Sequence, residues 1–268
     1  MTRFAAVGDI HCTRASRGTL HELFAAASAE ADAIVLCGDL TDYGLPQEAE
    51  VLAGELAAAT VPVIGVLGNH DFESGQAAVV NQILRGGGLQ LLDGEAVEVG
   101  DVGFAGTKGF AGGFGTDGLG AWGEPAIKAF VQEAIDEGLK LEHGLARLRT
   151  RWRVAVLHYA PIAGTVFGEP LGIYPWLGSS RLEEPLDRLD VTLAVHGHAH
   201  YGAPEGHTRG GVPVFNVSQP LLRRIDGSAY RVIDLAEFPQ EVTAQPAEPM
   251  TREPGIVAMR RPTATQAG

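Results

Sequence analysis

Apolar runs of five to seven residues recur along the chain, and each stops abruptly at Gly, Asp, His or Asn. RFAAV gives way to Gly8-Asp9-Ile10-His11, AIVLC to Gly38-Asp39-Leu40-Thr41-Asp42, and VPVIGVL to Gly68-Asn69-His70-Asp71. RVAVL ends at His158, and VTLAV at His196-Gly197-His198-Ala199-His200. Short β-rich runs without a helical period predict buried strands, here over 3–7, 33–37, 62–67, 152–157 and 191–195. Between the first three, the pattern changes to helical spacing. Leu20, Leu23, Phe24 and Ala27 predict a helix over 17–30. A second opens at Pro46 and runs to about residue 58, and a third covers 75–85 before Gly86-Gly87-Gly88 stops it. Asp9 to Asp39 and Asp39 to Asn69 are each 30 residues apart, the length of a βαβ unit. The three strands are therefore expected to be parallel neighbours joined by right-handed crossovers.

Beyond residue 88 the pieces shorten. QLLDG, EAVEVG and VGFAG over 89–106 read as antiparallel strands with Gly turns. A Gly-rich loop over 106–123 carries Phe110, Phe114 and Trp122, and a polar helix over 125–149 follows, with Gly138 as a point of interruption. The stretch 161–180 is irregular and rich in Gly, Pro and aromatics, including Phe167, Tyr174 and Trp176. A short helix over 181–188 and strands near 212–217 and 229–235 finish the pattern. The expected organisation is one domain over 1–245, with lid-like insertions at about 106–150 and 161–180. Residues 246–268, dominated by Pro, Ala, Thr, Arg and Gln, read as a flexible tail without a core of its own.

Composition changes this picture little. At 268 residues, with 45% hydrophobic and 20% charged residues, the chain can bury a substantial core. No apolar stretch reaches the roughly 18–20 residues of a membrane span, and no signal peptide is evident, so a cytoplasmic location is expected. Cys12 and Cys37 are too few for a disulfide framework and read as reduced thiols at the core edge. The net charge of −13 lacks the basic footprint of a general nucleic-acid binder and reads as a solvated acidic surface.

The strand ends carry the chemistry. In open α/β sheets the ligand crevice lies outside the carboxyl ends of the strands. Five strands would thus deliver Asp, Asn and His side chains to one place, and that mixture is first of all a metal site. Singly, Asp9 or Asp39 could cap a strand end and Asn69-His70-Asp71 could be turn chemistry; in combination the structural explanation needs five coincidences. Seven such donors with only two negative charges leave a divalent pair net positive and suited to a phosphate anion. His21 and His143 fall in expected helices and read as surface residues, and His207 lies in a turn.

Asp9-Ile10-His11, Gly38-Asp39 with Asp42, Gly68-Asn69-His70-Asp71, His158 and Gly197-His198-Ala199-His200, in this order and each behind a strand, resemble the calcineurin-like metallophosphoesterase superfamily over about residues 3–218. The resemblance implies an α/β fold, a four-layer α/β/β/α sandwich with two metal ions at the strand ends. It implies that Asp9, His11 and His200 hold one ion and Asn69, His158 and His198 the other, with Asp39 bridging. It makes His70 the catalytic histidine, oriented by Asp71, and puts Asp42 outside the ligand shell; His196, which has no ligand slot, reads as a strand-end histidine supporting the shell. The ions are divalent, or one di- and one trivalent, with Mn, Fe, Zn, Ni and Co all suited to these donors.

Phosphoprotein phosphatases of the superfamily carry Asp-Arg-Gly and Asn-His-Glu where this chain has Asp42-Tyr43-Gly44 and Asn69-His70-Asp71. His11 also departs from the purple acid phosphatase pattern. The pattern is more similar to the bacterial phosphodiesterase branch. The implied function is hydrolysis of phosphate esters by hydroxide held on the metals, with phosphodiesters such as cyclic nucleotides favoured. A phosphomonoesterase, a nuclease, a nucleotide-pyrophosphate hydrolase and a non-catalytic scaffold stand as alternatives; the scaffold would have lost ligands, and here every position is filled. The expected partner is a small phosphate ester rather than a membrane or a long nucleic acid, contacted by Tyr174, Trp176 and Phe110 from the aromatic loops. The oligomeric state is left open, a homodimer included.

Overall fold

In the computed structural model, which describes residues 2–238, two sheets stack face to face between layers of helix. The strands in chain order are β1 (Arg3–Val7), β2 (Ile34–Cys37), β3 (Val63–Val66), β4 (Leu89–Leu91), β5 (Ala96–Val99), β6 (Val102–Thr107), β7 (Trp152–Leu157), β8 (Leu193–His196), β9 (Glu205–His207), β10 (Pro213–Asn216) and β11 (Arg231–Asp234). The first sheet has the order β11-β1-β2-β3-β4 and the second β5-β6-β7-β8-β10-β9. The helices are α1 (His21–Glu30), α2 (Pro46–Glu55), α3 (Ala77–Gly86), α4 (Pro125–Arg147), α5 (Tyr174–Leu177), α6 (Glu183–Arg188) and α7 (Gln219–Ile225).

The layers follow from the period-two alternation of strand side chains. Phe4 and Ala6 of β1, and Val35 and Cys37 of β2, point between the sheets. There they meet Val102 and Phe104 of β6, Val154 and Val156 of β7, and Val195 of β8. Phe4 and Phe104 cross this interface edge to face, with ring centres 5.6 Å apart, and each such buried aromatic is worth about 3 kcal/mol. The alternate residues, Ala5, Val7, Ile34 and Leu36, pack outward on Phe24 of α1, Leu52 of α2 and Leu84 of α3. Ala155, Leu157 and Ala194 do the same on the far side against Leu141 and Leu145 of α4 and Leu186 of α6. The result is the four-layer α/β/β/α order.

β1, β2 and β3 are parallel neighbours, as the 30-residue spacing predicts. The short run at 89–91 departs from expectation. It pairs parallel with β3 and extends the first sheet, and only β5 and β6 form the antiparallel hairpin. Gly138 does not interrupt α4, which runs unbroken from Pro125 to Arg147. Its glycine permits a close approach instead, since a Cβ there would lie 3.0 Å from the carbonyl oxygen of Arg181. β11 returns antiparallel on the free edge of β1. One compact unit reaches to Phe238; the boundary expected at 245 and the flexible tail expected over 246–268 lie outside the described residues. Among the described residues no helix is long and apolar enough to cross a membrane.

Candidate metal centre

The carboxyl ends of β1, β2, β3, β7 and β8 open onto one crevice, and the segment after each is bent to face it. Asp9, His11, Asp39 and His198 all adopt left-handed backbone (φ 58°, 42°, 48° and 69°). For non-glycine residues such conformations cost on the order of 1–3 kcal/mol each and cluster where function over-determines the backbone. Gly68 serves the same convergence: a Cβ at that position would sit 2.2 Å from the backbone nitrogen and carboxylate of Asp39.

The expected ligand side chains meet. His200 Nε2 lies 3.1 Å from Asp9 Oδ1, and both Asp9 oxygens accept the backbone N–H of His198, at 3.1 and 2.9 Å. On the other side, His158 Nε2 lies 2.8 Å from Asn69 Oδ1 and 3.4 Å from Asp39 Oδ1. Asp39 faces both groups, because its Oδ2 is 3.8 Å from His11 Nε2. Asp9, His11 and His200 form one cluster of potential ligand atoms, and Asp39, His158 and His198 another.

The donor set carries unmet bonding capacity of the kind that cations satisfy. Burial pushes His158 well below the usual histidine range, with the neighbouring His198 adding to it, so the ring is neutral and has one N–H. Yet its Nδ1 lies 3.0 Å from the Cys37 carbonyl oxygen and its Nε2 faces the Asn69 oxygen, two acceptors for one proton. With Nδ1–H donating to Cys37, the Nε2 lone pair is left beside the Asn69 amide oxygen, two neutral donors that a cation can take together. Both ring nitrogens of His11 are buried without a hydrogen bond. Burial, then the charges of Asp9 and Asp71, push the Asp39 carboxyl up to about 9. Burial likewise takes His198 down to about 4, and lowers His11. Neutral imidazoles and crowded carboxylates are the donors that divalent ions take.

Around these side chains the supporting groups differ in part from expectation. Asp71 does not orient His70. Its buried carboxylate accepts from Leu40 N (3.1 Å), Thr41 N (2.8 Å), Thr41 Oγ1 (2.6 Å) and Gly68 N (2.7 Å), clasping the loop after β2 to the loop after β3. The His70 ring is held by the main chain instead, its Nδ1 lying 2.6 Å from the Asp42 carbonyl oxygen. The Asp42 carboxylate stands 3.2 Å from His11 Nδ1. Behind it, buried Glu48 accepts the backbone N–H of Tyr43 and Leu45 at the start of α2. His196 is buried and turned away from the ligands, its Nδ1 2.7 Å from the Gly197 carbonyl and its Nε2 2.7 Å from Thr165 Oγ1. Burial takes it down to about 4.

The removal of Asp71 gives a direct test of the clasp. Asp71→Ala strands four buried donors, each costing about 1–3 kcal/mol unmade. A loss of about 4 kcal/mol or more is expected in denaturant unfolding. A loss below 1 kcal/mol would show that the two loops hold their places without it.

Of the aromatic residues expected at the substrate, only Trp176 is at the mouth. The residue is 59% exposed, its ring edge to face with Phe130 (centres 5.7 Å apart) and its carbonyl oxygen 3.3 Å from His198 Nε2. Tyr174 is half-buried against the cluster of Ala160, Val166, Leu177 and Ala199. Phe110 packs on Phe130 and Tyr159 (ring centres 4.9 and 6.0 Å) and covers the core under α4. Both are held by apolar packing, the commoner fate of a loop aromatic. Cys12 and Cys37 are buried free thiols, and burial pushes Cys12 up to about 12.

Thr41, Thr165 and Asn216 were not foreseen. Asn216 Nδ2 donates to the carbonyl oxygens of Ala199 (2.7 Å) and Thr165 (3.4 Å), so with His196 it ties the turn at Ala163–Val166 to the His198–His200 loop. Lone Thr and Asn residues carry no periodic or spacing signal. Asn216, however, is a polar residue at the carboxyl end of a strand, the same placement that singled out Asp9 and Asp39.

A two-sheet α/β sandwich whose strand ends present two carboxylates, an asparagine and four histidines to one crevice defines a metallohydrolase-type protein. The chain belongs to the calcineurin-like phosphoesterase family, whose model matches residues 2–202. It is a metal-dependent phosphoesterase, and its cofactor is the pair of divalent ions with which the family works. Among solved structures it is similar to a phosphopantetheinyl hydrolase from Mycobacterium tuberculosis, with a TM-score of 0.56 and 15% identity over 86% of this chain and 95% of that one. It is also similar to a Thermus thermophilus protein (TM-score 0.49, 15% identity, 87% and 99% covered) and to an archaeal phosphodiesterase (0.39, 14%, 87% and 99%). The likeness to the phosphopantetheinyl hydrolase, at 15% identity, is one of fold. No curated protein sequence matches the chain.

Proposed function

We propose that the enzyme hydrolyses small phosphodiesters, with Asp9, His11 and His200 holding one divalent ion, Asn69, His158 and His198 the other, and Asp39 shared between them. The metal pair supplies the water-derived nucleophile at neutral pH and offsets charge on the phosphoryl oxygens. The remaining tasks fall to side chains. Asp39 Oδ1 accepts the His70 backbone N–H at 2.8 Å, so the residue between the two donor sets also seats the proposed acid. With Nδ1 engaged by the Asp42 carbonyl, His70 has Nε2 left to pass a proton to the leaving oxygen. Mn, Fe, Zn, Ni and Co all suit the donors, and reduced buried thiols agree with a cytoplasmic setting.

The observation that carries the diester preference is the rim. Tyr43, 57% exposed, occupies the place of an arginine that would grip a dianion, and Trp176, also exposed, borders the centre through its carbonyl oxygen, 3.3 Å from His198 Nε2. A diester brings one negative charge and a second organic substituent, which needs less cationic grip and more apolar surface than a monoester. Higher kcat/KM on bis-(4-nitrophenyl) phosphate than on 4-nitrophenyl phosphate is expected. Trp176→Ala should raise KM for the diester about tenfold with little change in kcat, the signature of lost uniform binding. A preference for the monoester would overturn the diesterase reading and leave the phosphoesterase assignment in place.

A further inference from the structure

A cavity of about 370 Å³ lies at the ends of β3, β4 and β6. It is walled by Leu67 and Phe72, by Asn81 of α3, by Leu91 and Leu92, by Lys108, and by Asp93, whose carboxylate is held by Lys140. Leu67 follows β3, Leu92 follows β4 and Lys108 follows β6, so the cavity sits at the same strand ends as the candidate ligands. It shares a wall with them, because Asn69 and His70 lie between Leu67 and Phe72 on one segment. The Lys108 carbonyl oxygen accepts the backbone N–H groups of both His158 and Tyr159.

The cation in this cavity is out of the ordinary. Lys108 is buried, and its ammonium lies 4.8, 5.4 and 5.5 Å from the ring centres of Phe110, Tyr159 and Phe72. An ammonium has three donor hydrogens, and Lys108 directs a hydrogen bond to the Gly109 carbonyl oxygen at 2.7 Å. The acidic groups nearby are engaged elsewhere or stand off. Glu137 accepts from Thr107, Gly109 N and Lys140; Asp93 accepts from Lys140; and Glu133 comes no closer than 4.0 Å. Glu133 pairs with Lys108 only at that distance, so among the described residues no anion lies within hydrogen-bond reach of the desolvated ammonium, a cost that a ligand carboxylate can offset.

We infer that this cavity is a leaving-group subsite for an organic group with an apolar or aryl body and a terminal carboxylate, which Lys108 binds. The inference deepens the proposed phosphoesterase function and rests on it for the word leaving group. His70 and Phe72 belong to the same short helical turn, so a phosphoryl group at the metal centre has the proposed acid and the cavity next to each other. The apolar walls take the body of the alcohol, and the ammonium meets the anion at its far end.

The test compares two substrates of similar leaving-group acidity, the methyl phosphodiesters of 4-hydroxyphenylacetate and of 4-ethylphenol. Wild type is expected to show a KM about tenfold lower for the first, the scale of one charge-assisted hydrogen bond. Lys108→Met should erase that difference and Lys108→Arg restore part of it. Independently of turnover, 4-hydroxyphenylacetate should bind the chelated protein in calorimetry, about tenfold more weakly after Lys108→Met. Ala78→Leu, which narrows the cavity from its exposed edge, should weaken binding too, and it carries the test if Lys108→Met does not fold. Equal KM values in wild type, or binding that neither variant changes, would overturn the subsite. Hydrolysis of neither ester with calorimetric binding intact would instead overturn the proposed diesterase activity and leave the site.

Discussion

Asp39→Ala is expected to abolish hydrolysis and to empty both metal positions together. Asp39 is the single carboxylate that faces both donor sets, with one oxygen 3.8 Å from His11 Nε2 and the other 3.4 Å from His158 Nε2. Removing it takes a negative charge from each ion at once. It also frees the His70 backbone N–H, which Asp39 Oδ1 accepts at 2.8 Å. Loss of a group that only supports a metal ligand typically costs about 10–100-fold, so loss of the shared ligand should exceed roughly 10³-fold in kcat/KM. Metal analysis after gel filtration should fall from two ions per wild-type chain to fewer than one. A variant that keeps two tightly held ions and full turnover would show that Asp39 bridges nothing.

His70→Ala is the counterpart, an expected loss of rate without loss of metal. The His70 Nδ1 is committed to the Asp42 carbonyl, and although the ring stands close enough to His11 and Asp42 for the three to hold an ion together, its proposed role is proton transfer instead. Proton transfer to the leaving oxygen contributes about 10²–10⁴-fold. The deficit should therefore be large for an alkyl ester, whose alkoxide cannot leave unprotonated, and small for a nitrophenyl ester. A plot of log kcat against leaving-group acidity should be steeper in the variant than in wild type. Parallel plots would assign His70 to phosphate binding, and depleted metal would assign it to the ligand shell.

The contrast between these two residues and the aromatic loops shows what the chain discloses by itself. Asp9, Asp39, Asn69 and His158 could be found because hard polar donors directly behind buried apolar runs have few structural reasons to be there. β4 was misassigned because three residues carry no direction, and its parallel pairing with β3 depends on where α3 returns the chain. Asp71 looked like a partner for its neighbour His70, but side-chain reach is decided by backbone bend, and the turn at 70–72 directs it into the interior. Phe110 and Tyr174 could not be told from Trp176, since an aromatic in an irregular segment packs inward or outward according to surfaces that other segments supply. Lys108 was equally silent: a lone lysine past a strand signals nothing until three rings close around it.

The Asp71 clasp has a consequence for metal choice. By tying Leu40, Thr41 and Gly68 to one buried carboxylate, it makes the loop bearing Asp39 and the loop bearing Asn69 a single rigid piece. A cradle that relaxes little penalises ions whose preferred bond lengths do not match its spacing. Size discrimination at the binding step is therefore the expected mark of this clasp, and loosening it by Asp71→Ala should broaden the range of ions that bind.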